Sequence, residues 1–355
     1  MGLAALFHRS GILAYLRDQW RAEDASTRRD LKAYSTREVN ASAASVRGEV
    51  RQLRADHEGR FDAEHASVSG RLETLEHEVE RLRAVLAMNA ERRETRHPHA
   101  LEFDRIAAHV LDAIARAPLH HDPTAHLVIR SLFPDDTYLA LLDSIPPDAC
   151  FTQRDRTKQN FRLREAGVAP DFTLRVSSFV EDRIIPEVVV PALLRRFQSR
   201  IEDAYAQRHG PLGPAVAALP HVASAGRLML RRRGYHLDPH IDPSRVILTC
   251  LTYWARPGDS AAFGTQLFRI NGTPAIDRTS TYYPEHHGHA CDLVTTVPFI
   301  ANTAVVFLNV GAAHGADIPT DARKDTKRYA YQFYVSPDPK SVAAILGGPV
   351  DDDAD

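Results

Sequence analysis

The spacing of apolar residues divides this chain into stretches of different period. From about Asp18 to Arg96 there is no proline, and Arg, Glu and Ala dominate. Within it, Val68, Leu72, Leu75, Val79, Leu82 and Leu86 follow one another at gaps of 4, 3, 4, 3 and 4. That alternation puts all six on one stripe of a long helix, flanked by charged positions, as in a coiled coil. Upstream, Val46, Val50, Leu53 and His57 keep the spacing, and Phe61 and His65 then follow at gaps of 4 and 4, which is a stutter. The stripe could instead lie back on the chain's own globular part. The charge density around it favours self-association.

Pro98 closes this segment. Leu101, Ile106, Val110, Leu111 and Ile114 share a face and predict a helix over 101–115. His126 to Pro147 reads as a strand, a turn at Pro134-Asp135, and a helix that ends before Pro146. The stretch from Ile184 to His209 predicts helix interrupted by Pro186 and Pro191. After Gly226 the period shortens to two. RLMLRR, RVILTCLTYW, TQLFRI, LVTTVPF, TAVVFLNV and RYAYQFYV are β-branched and aromatic, and Gly, Pro, Asp and Asn separate them. This texture predicts an antiparallel jelly-roll rather than βαβ units. The fold class is therefore α+β, in three parts: a helical coiled-coil region over 1–97, a catalytic or binding domain over 98–345, and a disordered acidic tail over 346–355.

Composition narrows the function classes. The net charge of -2 leaves no general attraction for nucleic acid. Cys150, Cys250 and Cys291 lie far apart, which argues against a disulfide framework or a cysteine zinc site and for a reducing, cytoplasmic setting. No apolar run approaches the roughly 20 residues of a transmembrane segment. The first residues, MGLAALFHRSGILAYLRDQW, lack the pattern of a signal peptide. They predict a short helix docked on protein, in preference to one lying on a membrane.

Two imidazoles and one carboxylate on one face of an octahedron make a non-haem iron site. A His and an Asp two residues apart on a strand supply two of these ligands, because alternate side chains point the same way. His120 with Asp122, His236 with Asp238, and His240 with Asp242 all have that spacing. His120 sits in a proline-flanked loop with no strand after it. His240 and Asp242 lie between two strands in GYHLDPHIDPSRVILTCLTYW, with His236 and Asp238 as local competitors better suited to a supporting role. His314 follows the strand TAVVFLNV between Gly311 and Gly315 and is the third expected ligand. His286, His287 and His289 fall in a polar stretch and read as lid or substrate contacts; zinc on His286 and His289 is a weaker alternative.

Arg328 opens the last strand and suits the far carboxylate of a bound dicarboxylate, since its planar fork pairs two oxygens. Arg323, Lys324 and Lys327 fall in the charged turn before it and are expected to face solvent. Thr249 and Tyr253 share a strand face and offer hydroxyls to the same carboxylate, or ordinary packing.

At these residues the chain resembles the prolyl-4-hydroxylase-like branch of the 2-oxoglutarate/iron(II) oxygenase superfamily. GYHLDPHID, VILTCLTYW, FGTQLFRI, NTAVVFLN with His314, and RYAYQFYV match in order and spacing over roughly Pro98 to Pro339. RLMLRRR departs from the pattern, because relatives often carry a tyrosine on that strand. The resemblance implies a double-stranded β-helix with supporting helices, and Arg328 and Tyr253 as contacts to 2-oxoglutarate. It further implies Fe(II), 2-oxoglutarate and O2 as cofactor and cosubstrates, with ascorbate an optional addition, and release of succinate and CO2. The substrate class stays open among a small molecule, a glycan and a peptide, with the lid expected over 271–292. A non-catalytic coiled-coil scaffold whose jelly-roll binds metal or glycan is the alternative.

Overall fold

The computed structural model describes residues 37–152, 155–165, 168–273 and 279–346, with residues 37–47 and 56–65 described as backbone only. The expectations for the first 20 residues, the seam residues Val46, His57, Phe61 and His65, Arg278 of the lid and the acidic tail from 347 onward lie outside the described residues or side chains.

Helix α1 (Arg37–Ala90) runs unbroken through the segment without proline, as its wealth of Ala, Arg and Glu favours. The chain divides into two units, Met1–Glu76 and His77–Asp355. In the first, Val50, Leu53, Val68, Leu72 and Leu75 of the seam are all exposed. In the second, the seam residues Val79, Leu82 and Leu86 are exposed, whereas Val85 and Met88, on another face, are buried in the core. Asn89 Oδ1 also accepts the backbone N–H of Asp171 at 2.9 Å. The end of α1 is thus part of the second unit, and its seam is not the face it buries there.

Helix α2 (Phe103–Arg116) buries Ile106, Val110, Ala113 and Ile114. Leu111, expected on this face, is exposed. Helix α3 (Asp135–Asp143) follows the turn at Pro134, as its sequence predicts. Helix α4 (Asp171–Phe179) continues through a π-helical stretch, Val180–Val189, into α5 (Val190–His209). Pro186 lies inside the wider π turns and Pro191 in the first turn of α5. The prolines, expected to interrupt the helix, are absorbed by this change of pitch.

Among the described residues there are twelve strands, in chain order β1 (Leu119–His120), β2 (His126–Arg130), β3 (Lys158–Phe161), β4 (His221–Ala223), β5 (Arg227–Arg232) and β6 (His236–His240). Then come β7 (Leu248–Tyr253), β8 (Thr265–Ile270), β9 (Cys291–Val297), β10 (Thr303–Leu308), β11 (Ala312–Asp317) and β12 (Lys327–Pro337). They form two sheets, ordered β1-β2-β10-β7-β12-β5-β3, with β4 beside β12, and β6-β11-β8-β9. All pairings are antiparallel. From β5 to β12 the chain passes repeatedly between the sheets.

Alternation decides what each face of the larger sheet covers. Leu228, Leu230, Tyr329, Tyr331 and Phe333 join the core beneath the helices. Met229, Leu251, Tyr253, Val305, Phe307 and Ala330 point the other way and pack with Leu267 and Val297 of the smaller sheet. The inner face therefore lines a space between two sheets, and side chains projecting from it meet there.

Candidate metal centre

His240 ends β6 and His314 sits in β11, directly opposite it in the antiparallel register. Their rings lie 4.0 Å apart, centre to centre. Asp242 follows β6, and its Oδ2 lies 3.6 Å from His314 Nε2. One donor atom from each of the three lies within 4.8 Å of the other two, and all three residues are buried. Among the described residues no other group of His, Cys, Asp and Glu meets that condition.

The close approach depends on Gly315. A Cβ there would come within 2.7 Å of the Leu237 carbonyl oxygen and 3.3 Å of the Phe268 ring. The carbonyl belongs to β6, the strand that carries His240, so it cannot yield without moving a ligand. Gly315→Ala is expected to cost about 1–3 kcal/mol in stability through overpacking and to weaken metal retention. Denaturant midpoint and metal content of the purified variant measure both; wild-type values for the two would refute the close-contact argument.

The three donors are prepared for a cation. His240 Nδ1 donates to the Asp238 carbonyl at 2.9 Å, which leaves Nε2 as the ligating nitrogen. Burial pushes both imidazoles below their ordinary pKa, His314 to about 3, so both are neutral. Burial alone would raise the Asp242 carboxyl. A proton on His314 or His240, together with hydroxyl donors from Thr249 and Tyr334, outweighs it and holds the group below the usual carboxylate range. Thr249 Oγ1 donates to Asp242 Oδ2 at 2.6 Å and Tyr334 Oη to Oδ1 at 3.1 Å. Asn309 Oδ1 accepts the Asp242 N–H, and its Nδ2 donates to the carbonyls of Asp242, Pro243 and Val246. Two neutral imidazoles and an ionised carboxylate, buried and orientated by their neighbours, fit an Fe(II) site.

Asn309 and Tyr334 are the residues that sequence reasoning passes over. Tyr334 had a signal: it shares the even-numbered face of β12 with Arg328. Asn309 had only its position, a polar residue closing an apolar strand.

Arg328 is 3% exposed on the inner face of β12. Its Nε donates to the Phe263 carbonyl at 2.6 Å, and its guanidinium lies 5.4 Å from the Tyr253 ring centre and 5.1 Å from that of Phe299. No carboxylate pairs with it among the described residues. Tyr253 donates its hydroxyl to Thr265 Oγ1 at 2.7 Å and accepts the Thr265 N–H at 2.9 Å. Thr249 departs from expectation: its hydroxyl proton goes to Asp242, so it braces the carboxylate and does not stand beside Arg328. Lys327 also departs, pairing with Asp148 at 2.6 Å.

The rival pairs lie elsewhere. His236 is exposed and hydrogen-bonds Asp317 and Asp238, each at 2.9 Å. His120 stacks on His126, and Asp122 pairs with Arg269. Tyr282 and Tyr283, from the stretch expected to form a lid, lie beside the ligands. Tyr282 exchanges both backbone hydrogen bonds with Ile241, between the ligands His240 and Asp242. Tyr283 lies with its ring 5.7 Å from that of His240 and stacks on His286. His287 stacks on Tyr282 at 4.5 Å.

No family model matches the chain, and neither does any curated protein. Solved structures similar to it are prolyl hydroxylases and other 2-oxoglutarate/iron(II) oxygenases. A prolyl 4-hydroxylase from Phytophthora capsici is 16% identical over 66% of this chain and 65% of its own, with a TM-score of 0.37. A prolyl hydroxylase from Trichoplax adhaerens, in complex with a hypoxia inducible factor peptide, is 14% identical over 67% and 91%, with a TM-score of 0.37. HygX from Streptomyces hygroscopicus, with nickel, 2-oxoglutarate and hygromycin B bound, is 14% identical over 61% and 84%, with a TM-score of 0.36.

Proposed function

We propose that this chain is an iron(II)- and 2-oxoglutarate-dependent oxygenase, most simply a hydroxylase, built on a double-stranded β-helix over residues 98–345. The observation that carries this reading is the pairing of two features on one interior. A buried His240–Asp242–His314 group stands at one end, and a buried arginine with no carboxylate partner among the described residues stands on a strand whose Tyr334 touches Asp242. The shuttling of β5 to β12 between two facing sheets supports the fold assignment.

In this reading the three side chains hold the metal, and Arg328 with Tyr253 receives the far carboxylate of 2-oxoglutarate. When bound, iron and 2-oxoglutarate supply the oxidising chemistry, with succinate and CO2 as the cosubstrate's products. The chain's own residues orient and enclose. Thr249, Tyr334 and Asn309 fix the Asp242 carboxylate, and the segment around Tyr283 covers the centre and excludes water. Because Asp242 fills its ligand position, halogenation is disfavoured.

The test is calorimetry of 2-oxoglutarate with the Ni(II)-loaded full-length chain, followed by succinate formation with Fe(II). Metal-dependent binding and turnover support the reading. Metal binding without any 2-oxoglutarate binding favours the scaffold alternative.

We further propose that α1 joins two copies of the chain. Eight large apolar side chains on its seam are exposed, from Val50 to Leu86, more than an isolated surface helix has reason to keep in register. Aspartates at Leu75 and Leu82 are expected to halve the mass found by light scattering and leave the β domain's unfolding unchanged. A wild-type monomer sinks this proposal. The end of α1 around Val85 and Met88 belongs in any truncated domain, since both residues are buried in its core.

A further inference from the structure

The inner face of the larger sheet carries more positive charge than the proposed chemistry uses. In the registers of β3, β5 and β12, Lys158, Arg231 and Arg328 stand side by side across three strands. Arg328 reaches towards Phe263 and Tyr253, and Arg231 reaches the opposite way, towards β3. Arg231 is 2% exposed. Its Nη1 donates to the carbonyls of Gln159 and Leu230 and to Asn160 Oδ1, all neutral acceptors. Its Nε is buried with no hydrogen-bond partner among the described residues. A buried charged donor left in this state calls for an acceptor that a ligand brings.

The neighbourhood belongs to the metal centre. Burial pushes the Arg231 guanidinium below its ordinary pKa; a hydrogen bond to Tyr235 works against this, and the nearby Arg227 and Arg328 add to it. The Lys158 ammonium disfavours a proton on the His240 imidazole. The Arg231 guanidinium lies 5.0 Å from the ring centre of Tyr235, itself near Tyr283 of the lid. The rim carboxylates Asp238 and Asp317 are engaged by His236. A divalent metal and Arg328 together balance Asp242 and a bound dicarboxylate. Arg231 and Lys158 remain over, as does Arg227, which bonds Gln332 and Tyr334, and the exposed Asp155 carboxylate lies near Lys158.

We propose that Arg231 and Lys158 form a second anion subsite beside the metal centre, and that the substrate oxidised here carries an oxyanion group, a carboxylate or a phosphate. This rests on the oxygenase reading, with Arg328 as the cosubstrate's anchor. The substrate's anion enters beneath Tyr283 and takes the free donor of Arg231, and Lys158 closes on it from the sheet edge. Its reactive carbon is thereby held facing the three ligands.

The experiment titrates the full-length Ni(II)-loaded chain with inorganic phosphate and, separately, with acetate, each with and without saturating 2-oxoglutarate. Saturable binding that 2-oxoglutarate does not displace is expected, and the tighter of the two anions identifies the class. Arg231→Met and Lys158→Met should each weaken that binding about tenfold or more, equivalent to about 1.4 kcal/mol, and Arg231→Lys should restore part of it. Lys158→Met, at a half-buried edge position, keeps the test open if Arg231→Met fails to fold. Three results overturn the proposal: no saturable anion binding, equal binding by the Met variants, or displacement by 2-oxoglutarate, which would place Arg231 in the cosubstrate pocket. Failure of the oxygenase reading looks different. The Ni(II)-loaded chain would then not bind 2-oxoglutarate at all, and the phosphate titration without it would still report on Arg231.

Discussion

Replacing His314 with alanine is expected to abolish iron retention and 2-oxoglutarate turnover together. His314 sits opposite His240 in the β6–β11 pairing, so no other side chain can take its place without a shift of register. Changes to residues that merely support a metal ligand cost about 10–100-fold in affinity or activity, and removal of a direct ligand costs more. His236→Ala is the control. That residue is exposed and bonded to Asp238 and Asp317, and its loss should leave metal content unchanged. Metal content by atomic spectroscopy and succinate formation are the readouts. Survival of activity in His314→Ala, with its loss in His236→Ala, would move the metal to His236 and Asp238.

The strands legible in the sequence are those whose residues favour strands by themselves. RLMLRR, TQLFRI and TAVVFL alternate or run apolar, and they are β5, β8 and β10. The two strands that carry the ligands were not legible. HLDPH contains a proline and an aspartate, and AAHGAD is made of small residues. Neither has the side chains of a strand, and pairing with neighbours imposes the conformation on both. Pro239 is tolerated because β6 is an edge strand. The ligands themselves could be picked out because metal chemistry restricts residue type and spacing even where propensity is silent. Roles within the site were harder to read. Thr249 and Tyr253 share a face, but which acceptor each hydroxyl meets depends on how the chain turns after β6, and Asn309 holds that turn from sixty-seven residues away. Arg231 shows the same limit. Its charge is visible in RLMLRRR, but its burial and unpaired donor emerge only when β3, distant in sequence, closes over it.

Arg328→Ala is expected to weaken 2-oxoglutarate binding by about 2–4 kcal/mol, ~30- to 1000-fold, the usual cost of truncating one partner of a buried charge pair. Metal affinity should change little, because Arg328 contacts none of the three ligands: its hydrogen bond goes to Phe263 and its flat faces meet Tyr253 and Phe299. That separation makes the variant informative. A loss of 2-oxoglutarate affinity with metal retained isolates the carboxylate contact from the metal contact, which His314→Ala cannot do. Arg328→Lys should recover only part of the loss, since an ammonium cannot pair two oxygens in a plane and does not stack on the two rings in the same way. Calorimetry of 2-oxoglutarate against the Ni(II)-loaded variants measures both steps. Unaltered affinity in Arg328→Ala would remove it as the anchor and pass that role to its cross-strand neighbour. In that case Arg231→Met should show the loss instead, and the anion subsite assigned to the substrate would belong to the cosubstrate.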